Sequence, residues 1–523
     1  MPDKVLYRAN LMGGETKMKR LFALMLAMIM ILSLAACGGK EGASGDGELV
    51  EISVMVYDRG HEYPSGMSVV DNNFTKWVNE QMNPQGVQVK FVPVPRSGAD
   101  DAVNLMLTGG TAPDIIRTYD LQRIQGYAKD GGLCDLTDYM DMLDKEWLET
   151  AVLEAGQTSG GQYALPAIYS YSYKSKDMFL RKDLVEAVGK EMPTTKAELI
   201  DVLYAIKAAY PDMTVMGMGG KNTNGNYEGF LISYTSRKDD RINHQYEPTF
   251  TIALKPGHKE GLQQLNQFCL DGIIDKNFVV DTDNAKYDEN VANGNYAFIC
   301  DGSLDPVRSA YGTAQDPNYY MMEVNCMEDA DGSYAKPSGG AWDYYTYVPK
   351  TAEDRIEAVM KYLAWQSKQD VAFEIGNGLL DLGYEMVDGK AVGFSRDVRL
   401  ANGTSSSPGD NKLLWSNFPM TQEELLEQQL LSNPDVPAEV TEGSVYHQYN
   451  DLYHRAYLNE GVEADKNAPL LNELIVEFVF KCIVAEEGQF EKVYADGYQK
   501  LIDNGLQDLL DQRGEWYDNN KAK

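Results

Sequence analysis

Apolar and polar positions alternate in part from Glu51 to Tyr57 (EISVMVY), which predicts a strand, and Asp58-Arg59-Gly60 breaks it. From Asn72 to Met82 the apolar residues Phe74, Trp77, Val78 and Met82 recur at helical spacing. Gly86 then opens VQVKFVPV (87–94), a second strand with Val87, Val89 and Phe91 on one face. Asp101 to Leu107 reads as a helix with Gly109-Gly110 suited to its C-terminal cap, and Asp114-Ile115-Ile116 as a third strand. The order β-α-β-α-β predicts a parallel sheet with helices on its faces. Later, Thr195-x-x-Glu198 has the form of a capping box. Helical patterns run from Pro469 to Cys482 and from Phe490 to Trp516. Trp77, Trp147, Trp365 and Trp516 lie within helical patterns and are expected in the core.

Ahead of the first strand the pattern changes. The apolar run from Leu21 to Leu34 follows Lys19-Arg20 and precedes small residues, and it is short of the ~20 apolar residues that a bilayer span needs. Charged end, apolar stretch and small residues together form a secretory signal. Leu34-Ala35-Ala36-Cys37 resembles the bacterial lipobox, which implies cleavage before Cys37 and a diacylglycerol on its thiol. Residues 1–17 do not fit a signal, so translation is expected to begin at Met18. The Gly/Ser-rich stretch 37–47 reads as a flexible tether between lipid and folded chain. Stable anchoring takes two acyl chains.

Composition narrows the partners. The chain carries a net charge of −32 over 523 residues, and the leader contributes more basic than acidic groups. Such a surface is repelled by phosphate backbones, which argues against a nucleic-acid partner. A mature chain of this length exceeds one hydrophobic core and predicts two or more lobes. Tyr (33) outnumbers Phe (15), which suits either a surface for polar ligands or ordinary exposed secreted surface. Besides Cys37 there are Cys134, Cys269, Cys300, Cys326 and Cys482. An odd, widely spaced set is no disulfide framework, though one bridge stays possible. No Cys/His grouping has zinc spacing.

Several stretches in order carry a resemblance: NLMLTGGTAPDIIRTYD (104–120), YAKDGGLCDLTDYM (127–140), GQYALP (161–166), FLRKDLVEAVGKEMPTTKAELIDVLYAIK (179–207), FCLDGIIDKNF (268–278) and GGAWDYYTYVPK (339–350). Each is weak alone. Together they resemble the extracellular solute-binding proteins of ABC importers, in particular the large carbohydrate-binding lipoproteins of Gram-positive bacteria. That resemblance implies a periplasmic-binding-protein-like α/β fold: two lobes, a central ligand cleft and hinge crossings. It implies an N-lobe at 48–165, a C-lobe at 166–340, a return and crossing at 341–420, and a helical region at 421–523 that completes the lobes. It further implies a monomeric receptor on the outer face of the membrane, delivering a sugar to permease subunits. No cofactor is expected, since the transporter's ATPase does the energetic work. Some relatives carry a D-x-N-x-N-G calcium loop. Its nearest counterpart here, Lys221-Asn222-Thr223-Asn224-Gly225-Asn226, lacks acidic ligands, and Asp281, Asp283 and Asp288 are wrongly spaced, so no metal is expected.

In open α/β sheets ligands bind beyond the carboxyl ends of the strands. Sugars call for planar aromatics against their C–H faces and Asp, Asn, Arg or Glu against their hydroxyls. Candidates at such positions are Asp58, Arg59 and Glu62 after the first strand and Tyr119 and Asp120 after the third. Tyr169, Tyr171 and Tyr173 fall in the expected first crossing, where they equally suit one face of a packed strand. Trp342, Asp343 and Tyr344 open the return, and Trp415 lies in the irregular 401–420 loop. Arg59 would clamp a carboxylate in two-point fashion, or pair with Asp58 or Asp120; acidic and neutral sugars stay equally open.

Rival classes are a secreted carbohydrate-active hydrolase and a receptor for peptides or other polar metabolites. An acidic chain always offers carboxylate pairs, so these decide nothing. HExxH, GxSxG and phosphate-binding glycine loops are absent, and the five histidines form no cluster. The chain is expected to bind, not to catalyse.

Overall fold

The computed structural model describes residues 49–145, 148, 150–168, 177–221, 226–236, 238–246, 253–301, 304–324, 336–337, 342–415, 420–450, 452–453 and 462–520. The principal strands, in chain order, are β1 (Val50–Asp58), β2 (Val87–Pro95), β3 (Ile116–Thr118), β4 (Ala164–Ile168), β5 (Asp177–Arg181), β6 (Met216–Gly217), β7 (Phe298–Asp301), β8 (Met321–Val324) and β9 (Trp342–Tyr347).

In the first lobe β1 and β2 run parallel, in register from Val50↔Val87 to Asp58↔Pro95. A parallel bridge between Val54 and Ile115 carries the pairing towards β3. β9 returns antiparallel between β3 and β4. β1 is buried on both faces, which is why its alternation is only partial. Val54 and Val56 pack with Phe74 and Val78 of α1 (Asn73–Met82), while Met55 and Tyr57 pack with Ala99 and Val103 of α2 (Ala99–Gly109). α1 starts on the Asn72/Thr75 capping box, and α2 ends on Gly110 at φ +67°, where a left-handed residue closes the last turn.

In the second lobe the strand order is β8-β5-β7-β6, with β8 and β7 antiparallel to β5 and β6 parallel to β7. The helix α3 (Lys196–Ala209) begins on the Thr195/Glu198 capping box and buries Leu199, Val202, Leu203 and Ile206 in this core. Helices α4 (Gln422–Ser432) and α5 (Ala438–Tyr449) link the lobes. Lys390 of the first-lobe hairpin Tyr384–Gly393 pairs with Glu427 at 2.7 Å, while Val440 joins Phe179 and Met321 of the second sheet.

Two boundaries and one packing assignment differ from the sequence expectation. β4 belongs entirely to the first sheet, so the chain leaves that lobe after Ile168 and not at 165. The helical pattern from Phe490 to Trp516 is two helices, α7 (Phe490–Asp503) and α8 (Leu506–Asn520), because Gly505 at φ +96° breaks the turn between them. With α6 (Ala468–Ile483) both pack into the second-lobe core alone. Trp365 is buried in the first core and Trp77 packs against it, 5.3 Å between rings; Trp147 lies outside the described residues.

Candidate functional site

The topology gathers one sheet edge. The carboxyl ends of β1, β2, β3 and β4 and the amino end of β9 lie together, because β3 and β4 both run antiparallel to β9. From this edge the chain crosses to the second lobe between Ile168 and Asp177 and returns between Val324 and Trp342.

At its centre is Arg117, which sequence reasoning missed. The residue is 5% exposed. Its guanidinium lies 3.9 Å from the Tyr344 ring centroid, 4.8 Å from that of Tyr57 and 6.0 Å from that of Tyr119. One terminal nitrogen donates to the carbonyls of Gly409, Asp410 and Lys412 at 3.1–3.4 Å, and the other to the Tyr119 hydroxyl at 3.2 Å. Burial by itself would lower its pKa; the Tyr344, Tyr119 and Tyr57 oxygens more than reverse this and hold it charged.

Arg59 does not pair with Asp58 or Asp120. It clamps Asp410 through two bonds, 2.5 and 2.8 Å, and this hydrogen-bonded ion pair raises its pKa. Asp58 instead accepts from the Gly60 amide at 2.8 Å. Asp120 caps the helix Leu121–Lys129 through the Arg123 amide at 3.1 Å and stands 3.6 Å from the Arg123 guanidinium. Glu62 is exposed.

The aromatic candidates divide. Tyr119 is 43% exposed and meets Tyr344 edge-on, 5.8 Å between centroids. Trp342 is half-buried, with its indole N–H donating to the Tyr345 hydroxyl at 2.6 Å; Asp343 beside it is also half-buried. Tyr344 and Trp415, expected to face a ligand, are interior residues, 2% and 3% exposed. The Tyr344 hydroxyl donates to the carbonyls of Lys412 and Trp415, each at 3.0 Å, and burial pushes its pKa up. Trp415 is held by a parallel bridge to Ile168, so part of the 401–420 loop lies along the edge of β4. Tyr169, Tyr171 and Tyr173 lie outside the described residues, as do Cys37 and the calcium-loop counterpart 222–225.

Two further cations border the cluster. Arg96, the first residue after β2, sets its guanidinium 4.7 Å from the Tyr57 centroid and 5.3 Å from that of Tyr119. The strand-end logic that picked out Tyr119 points to Arg96 equally, had it been applied to the second strand. Lys412 is pushed down to about 8 by burial and by Arg117, against the pull of Asp343. Among the described residues no three His, Cys, Asp or Glu side chains gather as a metal site, and Cys134, Cys269, Cys300 and Cys482 are free thiols.

Comparisons place this architecture. Residues 74–374 match the family described as bacterial extracellular solute-binding protein. Lipoprotein LipO of Bacillus subtilis is 24% identical over 396 residues, 71% of this chain and 74% of that one. The S. pneumoniae ABC-transporter substrate-binding protein FusA, solved with kestose, superposes at a TM-score of 0.64 with 16% identity, covering 90% of this chain and 99% of that one. An HMO-binding, ABC-transporter-associated solute-binding protein from Bifidobacterium longum infantis superposes at 0.63 with 14% identity, covering 90% and 99%. The two-lobed α/β fold, the family match over more than half the chain and the edge of paired strand ends agree: this chain belongs to the bacterial extracellular solute-binding proteins.

Proposed function

We propose that the protein is a lipid-anchored receptor that captures an oligosaccharide between its lobes and delivers it to the permease of an ABC importer. The observation that carries this reading is the exposed ring of Tyr119 and half-buried Trp342 on one sheet edge, flanked by the polar groups of Asp58, Arg59, Glu62, Asp120 and Asp343. Flat aromatic faces serve sugar C–H patches, and the polar groups serve hydroxyls. Tyr344 and Trp415 support that edge from below. Two solved neighbours named above, FusA with kestose and the HMO-binding protein, bind oligosaccharides.

The anchor rests on Leu34-Ala35-Ala36-Cys37 and on the lipoprotein name of the Bacillus subtilis relative. No helix among the described residues is long and apolar enough to cross a membrane. Tethering at Cys37 would raise the receptor's effective concentration beside its transporter.

Thermal-shift screening of the chain from Leu49 onward against oligosaccharides tests the reading. A bound ligand raises the melting temperature by mass action. A shift with one glycan class, lost in Tyr119→Ala and Trp342→Ala, is the expected outcome. A shift with peptides or amino acids alone would replace the substrate class and leave the family standing. Mass spectrometry of the membrane-extracted protein tests the anchor: an N-terminal peptide without lipid on Cys37 would remove it.

A further inference from the structure

Four arginines border the tyrosine cluster, and three are committed. Arg59 is bonded to Asp410 in two-point fashion. Arg123 stands 3.6 Å from Asp120 and 3.9 Å from Asp100. Arg117 is buried and donates to backbone carbonyls and to Tyr119. Arg96 is exposed and has no carboxylate within ion-pair distance among the described residues.

Its position is nevertheless fixed. The Arg96 amide donates to the Asp58 carbonyl at 2.9 Å, and the guanidinium carbon lies 4.7 Å from the Tyr57 ring centroid and 5.3 Å from that of Tyr119. A guanidinium is a fork of N–H donors that suits a two-point contact, and the Arg96 side chain makes no hydrogen bond or ion pair among the described residues. This guanidinium borders the exposed Tyr119 ring. The same ring borders the Arg117 charge, which also lacks a carboxylate partner among the described residues. The nearby carboxylates of Asp58, Asp100, Asp120 and Asp410 already accept bonds from within the protein. In a chain of net charge −32 an anion is repelled by most of the surface, so an exposed guanidinium with no carboxylate partner among the described residues selects for one locally.

We propose that the glycan recognised here is acidic, with a carboxylate or sulfate group received by Arg96 while the sugar ring lies on Tyr119. The proposal rests on the oligosaccharide reading and narrows it. It moves the anion contact from Arg59, which Asp410 occupies, to Arg96.

The test is calorimetric titration of the chain from Leu49 onward with matched pairs of glycans. The pairs are uronic-acid oligosaccharides with their carboxyl-reduced counterparts, and sulfated oligosaccharides with their desulfated counterparts, beside a set of neutral ones. Wild-type protein is expected to prefer the charged member of one pair by at least about tenfold, more at low salt. Arg96→Gln is expected to abolish that preference, bringing the affinities of the charged and neutral members to within about twofold of each other, and Arg96→Lys to restore part of it. The pair that shows the preference identifies carboxylate or sulfate. An unchanged melting temperature of ligand-free Arg96→Gln separates lost contact from lost fold. Equal affinity within every pair, or a preference indifferent to Arg96→Gln, overturns the proposal and leaves the oligosaccharide receptor intact. No heat with any glycan, charged or neutral, overturns both.

Discussion

The guanidinium of Arg117 lies over the Tyr344 ring, 3.9 Å from its centroid, with both residues buried. The two reach the same stretch of chain: Arg117 donates to the carbonyls of Gly409, Asp410 and Lys412, and Tyr344 to those of Lys412 and Trp415. The pair therefore fastens residues 409–415 to the strand ends of the first lobe. Arg117→Ala is expected to lower stability by about 2–4 kcal/mol, since it removes a packed charge and strands the buried or part-buried carbonyls of Gly409, Asp410 and Lys412. Urea denaturation measures the loss, and hydrogen exchange should localise it to 409–415. A loss below about 0.5 kcal/mol, the range of ordinary surface substitutions, would contradict the fastening role.

Arg59 and Asp410 form the second fastening. Asp410 is almost wholly enclosed, whereas Arg59 keeps about a third of its side chain in water, 37%. A double-mutant cycle with Arg59→Gln and Asp410→Asn should give a coupling energy of about 1–2 kcal/mol, between the values for exposed and buried pairs. A coupling near zero would return Arg59 to the ligand.

His244 of the second lobe is 1% exposed and stacks on Trp516, 4.9 Å between rings. Burial, with Arg513 adding to it, pushes its pKa down to about 4. A base whose folded pKa is depressed binds fewer protons in the folded state than in the unfolded one. Its stabilising contribution is complete above about pH 6.5 and is lost as pH falls towards 4. Stability should thus drop by about 2–3 kcal/mol across that window, and His244→Gln should flatten that part of the profile. An equally steep profile in the variant would assign the drop to other groups.

Gly156 lies where a β-carbon would sit 1.9 Å from the Ala164 carbonyl oxygen and 2.8 Å from the Gln162 side-chain amide nitrogen. That amide bonds the carbonyls of Leu153 and Ala164 and so holds the start of β4. Gly156→Ala is expected to cost about 3 kcal/mol, because backbone and not a flexible side chain must move. Thermal unfolding reads this directly. A melting temperature equal to wild type would mean that the Ala164 carbonyl shifts freely.

Much of the fold is legible along the chain. Period-two and helical spacings, the Thr195/Glu198 box and Gly110 are local signals, and each matches an observed element or cap. The helix break at Gly505 was missed, because apolar spacing continues through a single left-handed glycine. The aromatic candidates were less legible. Trp342-Asp343-Tyr344 reads as one polar and aromatic run, yet Trp342 is half-buried while Tyr344 is enclosed by Arg117 and the 409–415 stretch.

The sequence by itself determined the order of strands and helices, the two-lobed class and the family, since those rest on periodicity and on motifs in series. Only the tertiary structure decided which charge meets which. Arg59 bonds a carboxylate 351 residues away. Arg117 draws its tyrosines from positions in or just after three different strands, and Arg96 is left beside Tyr57 and Tyr119 with no carboxylate partner among the described residues. Coulomb attraction and hydrogen bonding act over a few ångströms in space, and no local pattern records which distant residues the folded chain brings that close.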